Sequence, residues 1–215
     1  SLLLEGETLT SRANGWTFRC GRLETPSLGE LRERVGAGPH LAGRLTVREV
    51  VADVSALHAD PSNAGSLFQV ASQFNLLEMV APEVPPEAGI GGYAGDPTQG
   101  PACAIAAGAG TIYRAYFAPV NGQIGQSSGN QIDCLADLGE ALGNTGQRLW
   151  EMKNGYVLAT REGLVEISER LAASSEEELD QLRQRLRIGI QWDTQVTLGD
   201  AAHTVTQAYC SALPV

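Results

Sequence analysis

Residues 101–117 open with Pro101 and run through Ala102, Cys103, Ala104, Ile105, Ala106, Ala107, Gly108, Ala109 and Gly110 to Thr111, Ile112 and Tyr113. Proline in the first turn, followed by this composition, predicts a helix. Side chains this small bury little surface of their own, so the helix gains from packing only where its backbone lies very close to a sheet or a ligand. It is fed by residues 82–100, a stretch rich in Pro and Gly and longer than ordinary connections in compact domains. A connection of that length is expected to be functional or disordered.

Other segments supply strands. The β-branched residues of 45–57, ending in Val50-Val51-Ala52-Asp53-Val54, predict a strand near Val50. Turn chemistry at 60–65 leads into 66–72, which reads as a buried central strand. A loop at 121–130 precedes a helix at 132–142, and residues 155–160 read as a further strand. Helical patterns fill 162–187, where Ser174 and Ser175 precede Glu176, Glu177 and Glu178 as cap and first-turn acids. Two strands, 187–196 and 204–213, close the chain around a Gly199-Asp200 turn. The alternation predicts an α/β fold with a mixed central sheet, a single domain over residues 1–215. Residues 1–45, with a short helix from Pro26 to Val35, are expected to pack on it as an N-terminal extension. Ser1 reads as an artificial addition, and the abrupt stop after a strand-like run predicts truncation at the C-terminus.

Fifteen Lys and Arg against 25 Asp and Glu give a formal charge of -10, which repels phosphate backbones and anionic lipid. Neither nucleic acid nor membrane is an expected partner. The four cysteines, Cys20, Cys103, Cys134 and Cys210, form no CxxC pair, three of them lie in surroundings typical of buried thiols, and the compartment reads as a reducing cytoplasm. His40, His58 and His203 lack metal-ligand spacing, so no metal is expected, and there is no GxSxG.

An acidic chain can still bind a small anion through backbone amides at a helix start. Residues 87–100, with Gly89, Ile90, Gly91, Gly92, Tyr93, Gly95, Asp96, Thr98 and Gln99, lead into the helix in that way. Asp96 is the expected acid or base, with helix N-terminal electrostatics as its alternative role. Asp193, in Trp192-Asp193-Thr194, is the second candidate acid, and a hydrogen bond at a strand end is its alternative. Asp53 and Asn75 are candidate ligand contacts that could equally be turn or cap residues, and Tyr93 could stack on a ligand or pack in the core.

The middle of the chain, about residues 45–117, resembles the macrodomain superfamily, whose members bind ADP-ribose. Val51-Ala52-Asp53-Val54 is similar to the family's Gly-Asp-Ile/Leu motif without its glycine. Val70-Ala71-Ser72-Gln73-Phe74-Asn75 is similar to its Asn-Ala-Ala-Asn strand end in the final Asn. Gly89-Ile90-Gly91-Gly92 resembles its glycine triplet, and Ala104-Ile105-Ala106-Ala107-Gly108 its small-residue helix. The poly(ADP-ribose) glycohydrolase branch carries Gln-Glu-Glu after the glycines, where this chain has Asp96 and Gln99. The loop therefore looks closer to the divergent hydrolases typified by the Legionella effector that removes ADP-ribose from ubiquitin, which use aspartates.

The resemblance implies a three-layer α/β/α domain with N-terminal decoration that binds ADP-ribose through Asp53, Val54, Gln73, Asn75, Gly89, Ile90, Gly91, Gly92, Tyr93, Thr98 and Gln99. It implies a metal-independent, monomeric ADP-ribosylhydrolase using Asp96 and Asp193, with no cofactor. Its partner would be an ADP-ribosylated protein, with ubiquitin arginine as a candidate. A non-catalytic ADP-ribose reader is the alternative, and an unrelated α/β structural domain is the third reading.

Overall fold

The computed structural model describes residues 1–38 and 43–211. His40, residues 212 and 213 of the expected last strand, and the expected truncation point lie outside them. The chain begins with an antiparallel meander, β1 (Leu2–Glu5), β2 (Thr8–Ser11) and β3 (Thr17–Arg19). β4 (Arg22–Glu24) follows, then α1 (Leu28–Ala37), which starts at a Ser27 capping box with Glu30. α2 (Val54–Ala59) leads to β5 (Leu67–Ser72). α3 (Gln99–Ala106) and α4 (Gly108–Tyr116) come next, followed by the short pair β6 (Pro119–Val120) and β7 (Gln123–Ile124). α5 (Ala136–Ala141) precedes the hairpin β8 (Trp150–Lys153) and β9 (Tyr156–Ala159). α6 (Arg161–Ala173) and α7 (Glu176–Gln184) lead to β10 (Gly189–Gln195) and β11 (Thr204–Ser211).

The central sheet is mixed, in the order β4-β10-β11-β5. β10 runs antiparallel to both β4 and β11, whereas β11 pairs parallel with β5 from Thr206↔Leu67 to Ser211↔Ser72. The molecule is thus of the α/β class with a mixed sheet. β4 makes the N-terminal segment part of that sheet as well as a layer packed on it. Residues 45–51 form no strand: Leu45, Val47, Val50 and Val51 are all exposed. The strand expected near Val50 is replaced by chain without regular secondary structure, and Asp53 then caps α2.

The small-residue helix does meet the sheet closely, but as two helices that break at Ala107. A Cβ on Gly110 would lie 2.6 Å from Thr194 Oγ1 and 2.9 Å from Gln191 Cγ, so α4 reaches β10 at a contact that only glycine permits. The Gly110 amide donates to Thr194 Oγ1 at 3.1 Å, and the Gly108 amide to Thr197 Oγ1 at 3.1 Å. Beneath α3, Val70, Leu76, Cys103, Cys134 and Tyr209 form a buried apolar cluster. A second cluster joins Leu77, Met79, Tyr93, Ala104 and Ala115, so the chain after β5 is anchored to both helices.

Candidate functional site

β5 ends at Ser72, and the chain turns through Gln73 to Leu77, whose carbonyl accepts from the Gln73 amide at 3.0 Å. This turn and the start of α3 enclose a cleft of about 410 Å³, lined among others by Ser72, Gln73, Glu78, Asp96, Gln99 and Tyr156. The open end of a parallel strand beside a helix N-terminus is the usual ligand position in α/β sheets.

Gly100 fixes the arrangement, because a Cβ there would fall 2.1 Å from the Ala71 carbonyl oxygen. The helix starts at Gln99, two residues before Pro101, and Thr98 at its N-cap makes no side-chain cap bond. The Gln99 and Gly100 amides find no acceptor among the described residues, so two orphan donors sit at the cleft. The Gln99 side chain imitates a strand on the free edge of β5: its Oε1 accepts from the Ala71 amide at 2.7 Å, and its Nε2 donates to the Gln69 carbonyl at 2.7 Å.

Asp96 Oδ1 accepts from both the Thr98 hydroxyl (2.6 Å) and the Thr98 amide (2.9 Å). These bonds, the hydroxyl's first, hold the Asp96 carboxyl below the usual range, so it is ionised at neutral pH. Gln73 Oε1 is buried and has no hydrogen-bond partner among the described residues. An acceptor withdrawn from water without a donor is costly.

Behind the cleft wall runs a buried polar chain. Arg114, fully buried, donates through Nε to the Leu76 carbonyl (2.9 Å), through one terminal nitrogen to the Tyr209 oxygen, and through the other to Glu78 Oε1 (3.2 Å). The Tyr209 hydroxyl donates to Gln207 Oε1 at 2.8 Å, and Gln207 Nε2 donates to the Cys103 carbonyl at 2.8 Å. The same nitrogen lies 3.1 Å from His58 Nε2, while His58 Nδ1 is 2.8 Å from the Val54 carbonyl. A carbonyl can only accept, so His58 carries its proton on Nδ1 and offers Nε2 to Gln207. Burial keeps that histidine neutral by lowering its pKa. Burial pushes the Glu78 carboxyl up to about 7 against the opposing pull of Arg114.

The cleft gathers Gln73, Asp96, Thr98 and Gln99 from the expected set. It does not gather the others. Asp193 lies at an irregularity of β10 between Gln191 and Thr194, has φ of 51°, and is 4.0 Å from Arg19. Its neighbour Thr194 pairs with Val205, six residues along β11 from the Ser211 that flanks the cleft end, a distance of about 20 Å at the strand rise. One ribose cannot meet both acids. Asp53 spends its carboxylate on the Ser55 and Ala56 amides, at 2.7 and 3.1 Å, and Val54 packs on the core cluster. Asn75 is fully buried, bonded to Gln131 (2.8 Å) and the Leu77 amide (3.1 Å). Gly89, Ile90, Gly91 and Gly92 lie outside the cleft lining, in and beside the turn Gly91–Gly95. Tyr93 is buried below them, its hydroxyl accepting from the Glu78 amide at 3.0 Å, which makes it a core residue and not a stacking platform.

The chain matches no family profile, no curated protein and no solved structure. Its site is therefore read from its own geometry. Glu78 and Arg114 were not among the expected site residues, yet each carries a signal: a carboxylate in Leu76-Leu77-Glu78-Met79, and a lone cation in an otherwise apolar helix. Tyr156, whose hydroxyl donates to the Met79 carbonyl, had no such signal. Among the described residues no cluster of His, Cys, Asp and Glu could hold a metal, and no helix is long and apolar enough to cross a membrane.

Proposed function

We propose that this cleft binds ADP-ribose in a macrodomain-like α/β/α domain, and that the domain hydrolyses the bond between ADP-ribose and a protein side chain, ubiquitin arginine being a candidate. The observation that carries the reading is the meeting, around one cleft, of the Asp96 carboxylate, Gln73, whose buried amide oxygen lacks a partner among the described residues, and the two free amides that open α3. The amides suit a diphosphate, which needs donors but no Lys or Arg. Gln73 suits a ribose hydroxyl.

As the bond at C1″ breaks, its electron pair leaves with the side-chain atom, and an oxocarbenium-like centre forms next to the ionised Asp96. Asp96 Oδ2, free of the Thr98 bonds, orients a water whose oxygen adds to C1″. The water's proton ends on the leaving atom. Of the two expected acids, Asp96 alone takes part. The four free cysteines fit a reducing compartment such as the cytoplasm.

A reader that binds ADP-ribose without cleaving it is the second reading, favoured by the engagement of Asp96 Oδ1 with Thr98. Turnover separates the two. The wild-type protein incubated with an ADP-ribosylated protein is expected to release ADP-ribose, and Asp96→Asn to release it about a hundredfold or more slowly. Binding without release by the wild type would eliminate the hydrolase and leave the reader.

A further inference from the structure

Asp96 lines the cleft, the Glu78 carboxylate lies buried in its inner wall beside Arg114, and neither Lys nor Arg is among the lining residues. An anion entering it gains the orphan amides but meets two negative side chains at close range in a partly dry site, where charge repulsion is strong. One of them has to give way. Asp96 is stabilised as an anion by the Thr98 hydroxyl and amide. Glu78 is 2 % exposed, and its one charged partner among the described residues, Arg114, approaches at 3.2 and 3.5 Å through a single nitrogen. Neutralising Glu78 does not strand Arg114. The guanidinium keeps the Leu76 carbonyl and the Tyr209 oxygen and lies 3.9 Å from the centre of the Tyr209 ring.

We propose that Glu78 takes up a proton when a phosphate-bearing ligand enters the cleft, so that affinity is set by pH through a side chain in the cleft's inner wall. The proposal rests on the reading of the cleft as an ADP-ribose site. The groups facing Glu78 are Arg114 from α4, Cys103 from α3, Tyr93 from the turn before α3 and Tyr209 from β11. Burial raises the pKa of the thiol and of both phenols, so none of these three releases a proton near neutrality. Glu78, at about 7, is the group among them poised to exchange one. A negative neighbour raises it further.

The test is calorimetry of ADP-ribose binding from pH 6 to 8, in buffers of different ionisation enthalpy. Its diphosphate, esterified at both ends, has no proton to exchange in that range. The wild type is expected to take up a fraction of a proton that grows as pH passes 7, with Kd rising toward about tenfold per pH unit. Asp96→Asn retains that uptake, and Glu78→Gln loses it and binds with a flat pH profile. Should the glutamine variant fail to fold, the infrared difference spectrum of the wild type decides, because a protonated-carboxyl band must grow in on binding. Buffer-independent heat with constant affinity would overturn the proposal alone. No heat at any pH would overturn the reading of the site, and the proposal with it.

Discussion

At the scale of single residues, Gly100 and Asp96 carry the proposed binding and hydrolysis. Any side chain at 100 would collide with the Ala71 carbonyl, which cannot move without disturbing β5. Gly100→Ala is expected to lower stability by about 1–3 kcal/mol and to abolish ADP-ribose binding, as read by denaturant unfolding and calorimetry. Thr98 holds the Asp96 carboxyl further below its usual range, and under the proposed hydrolysis Asp96→Asn is expected to keep the fold and lose ADP-ribose release. Arg114 belongs to this scale too. It is among the largest fully buried side chains, and its three donor nitrogens hold Leu76, Tyr209 and Glu78 in place. Arg114→Ala is expected to cost about 3–5 kcal/mol, measured as a drop in unfolding free energy at pH 8, where Glu78 loses the cation that favours its charge and has to take up a proton to stay buried.

Among the elements, the approach of α4 to the sheet is the most informative. Gly110 lets Thr194 and Gln191 of β10 meet the helix backbone. Gly110→Ala is expected to destabilise the fold by about 1–3 kcal/mol without moving the cleft residues, so melting temperature falls while ADP-ribose affinity at low temperature is kept. That contact was legible in the sequence, since a helix of Ala and Gly can only be buried by close approach. β5, β10, β11 and α7 were legible too, from apolar periodicity and from the Ser175 cap. The strand near Val50 was not. Apolar β-branched residues favour a strand only where a neighbouring edge pairs with them, and Leu45, Val47 and Val51 face solvent. The role of β4 in the main sheet was hidden as well, because three residues carry no period to read. In the site, Asp96 was singled out for its place before a helix start, whereas Gln73 came only with the resemblance to macrodomain strand ends. Asp193 was misplaced, because the end of the sheet at which a strand residue falls is set by pairing register, which composition does not encode.

For the whole molecule, the buried Glu78 makes stability depend on pH in an unusual direction for a carboxylate. Its ordinary value is 4.5, and in the folded protein it rises to about 7. Below the lower value it is protonated in both states. Between the two, the unfolded chain releases a proton that the folded chain keeps, so the stability contributed by this group falls as pH rises and is lost above about 7, by about 3 kcal/mol in all. Exposed cap carboxylates such as Asp53 and Glu178 act in the opposite sense, because backbone amides lower them. The difference in unfolding free energy between wild type and Glu78→Gln isolates the buried group, and it is expected to shift toward the variant between pH 4.5 and 7. A constant difference would mean that Arg114 keeps Glu78 ionised throughout. Titration of ADP-ribose into the isotope-labelled protein, followed by backbone amide NMR, shows where on this acidic surface an anionic ligand settles. Gln73, Asp96, Thr98, Gln99 and Gly100 are expected to shift together while Asp53 and Asp193 stay fixed. Shifts clustered instead around the apolar groove of Trp16, Phe18 and Thr197, or none at millimolar ligand, would contradict the proposed site.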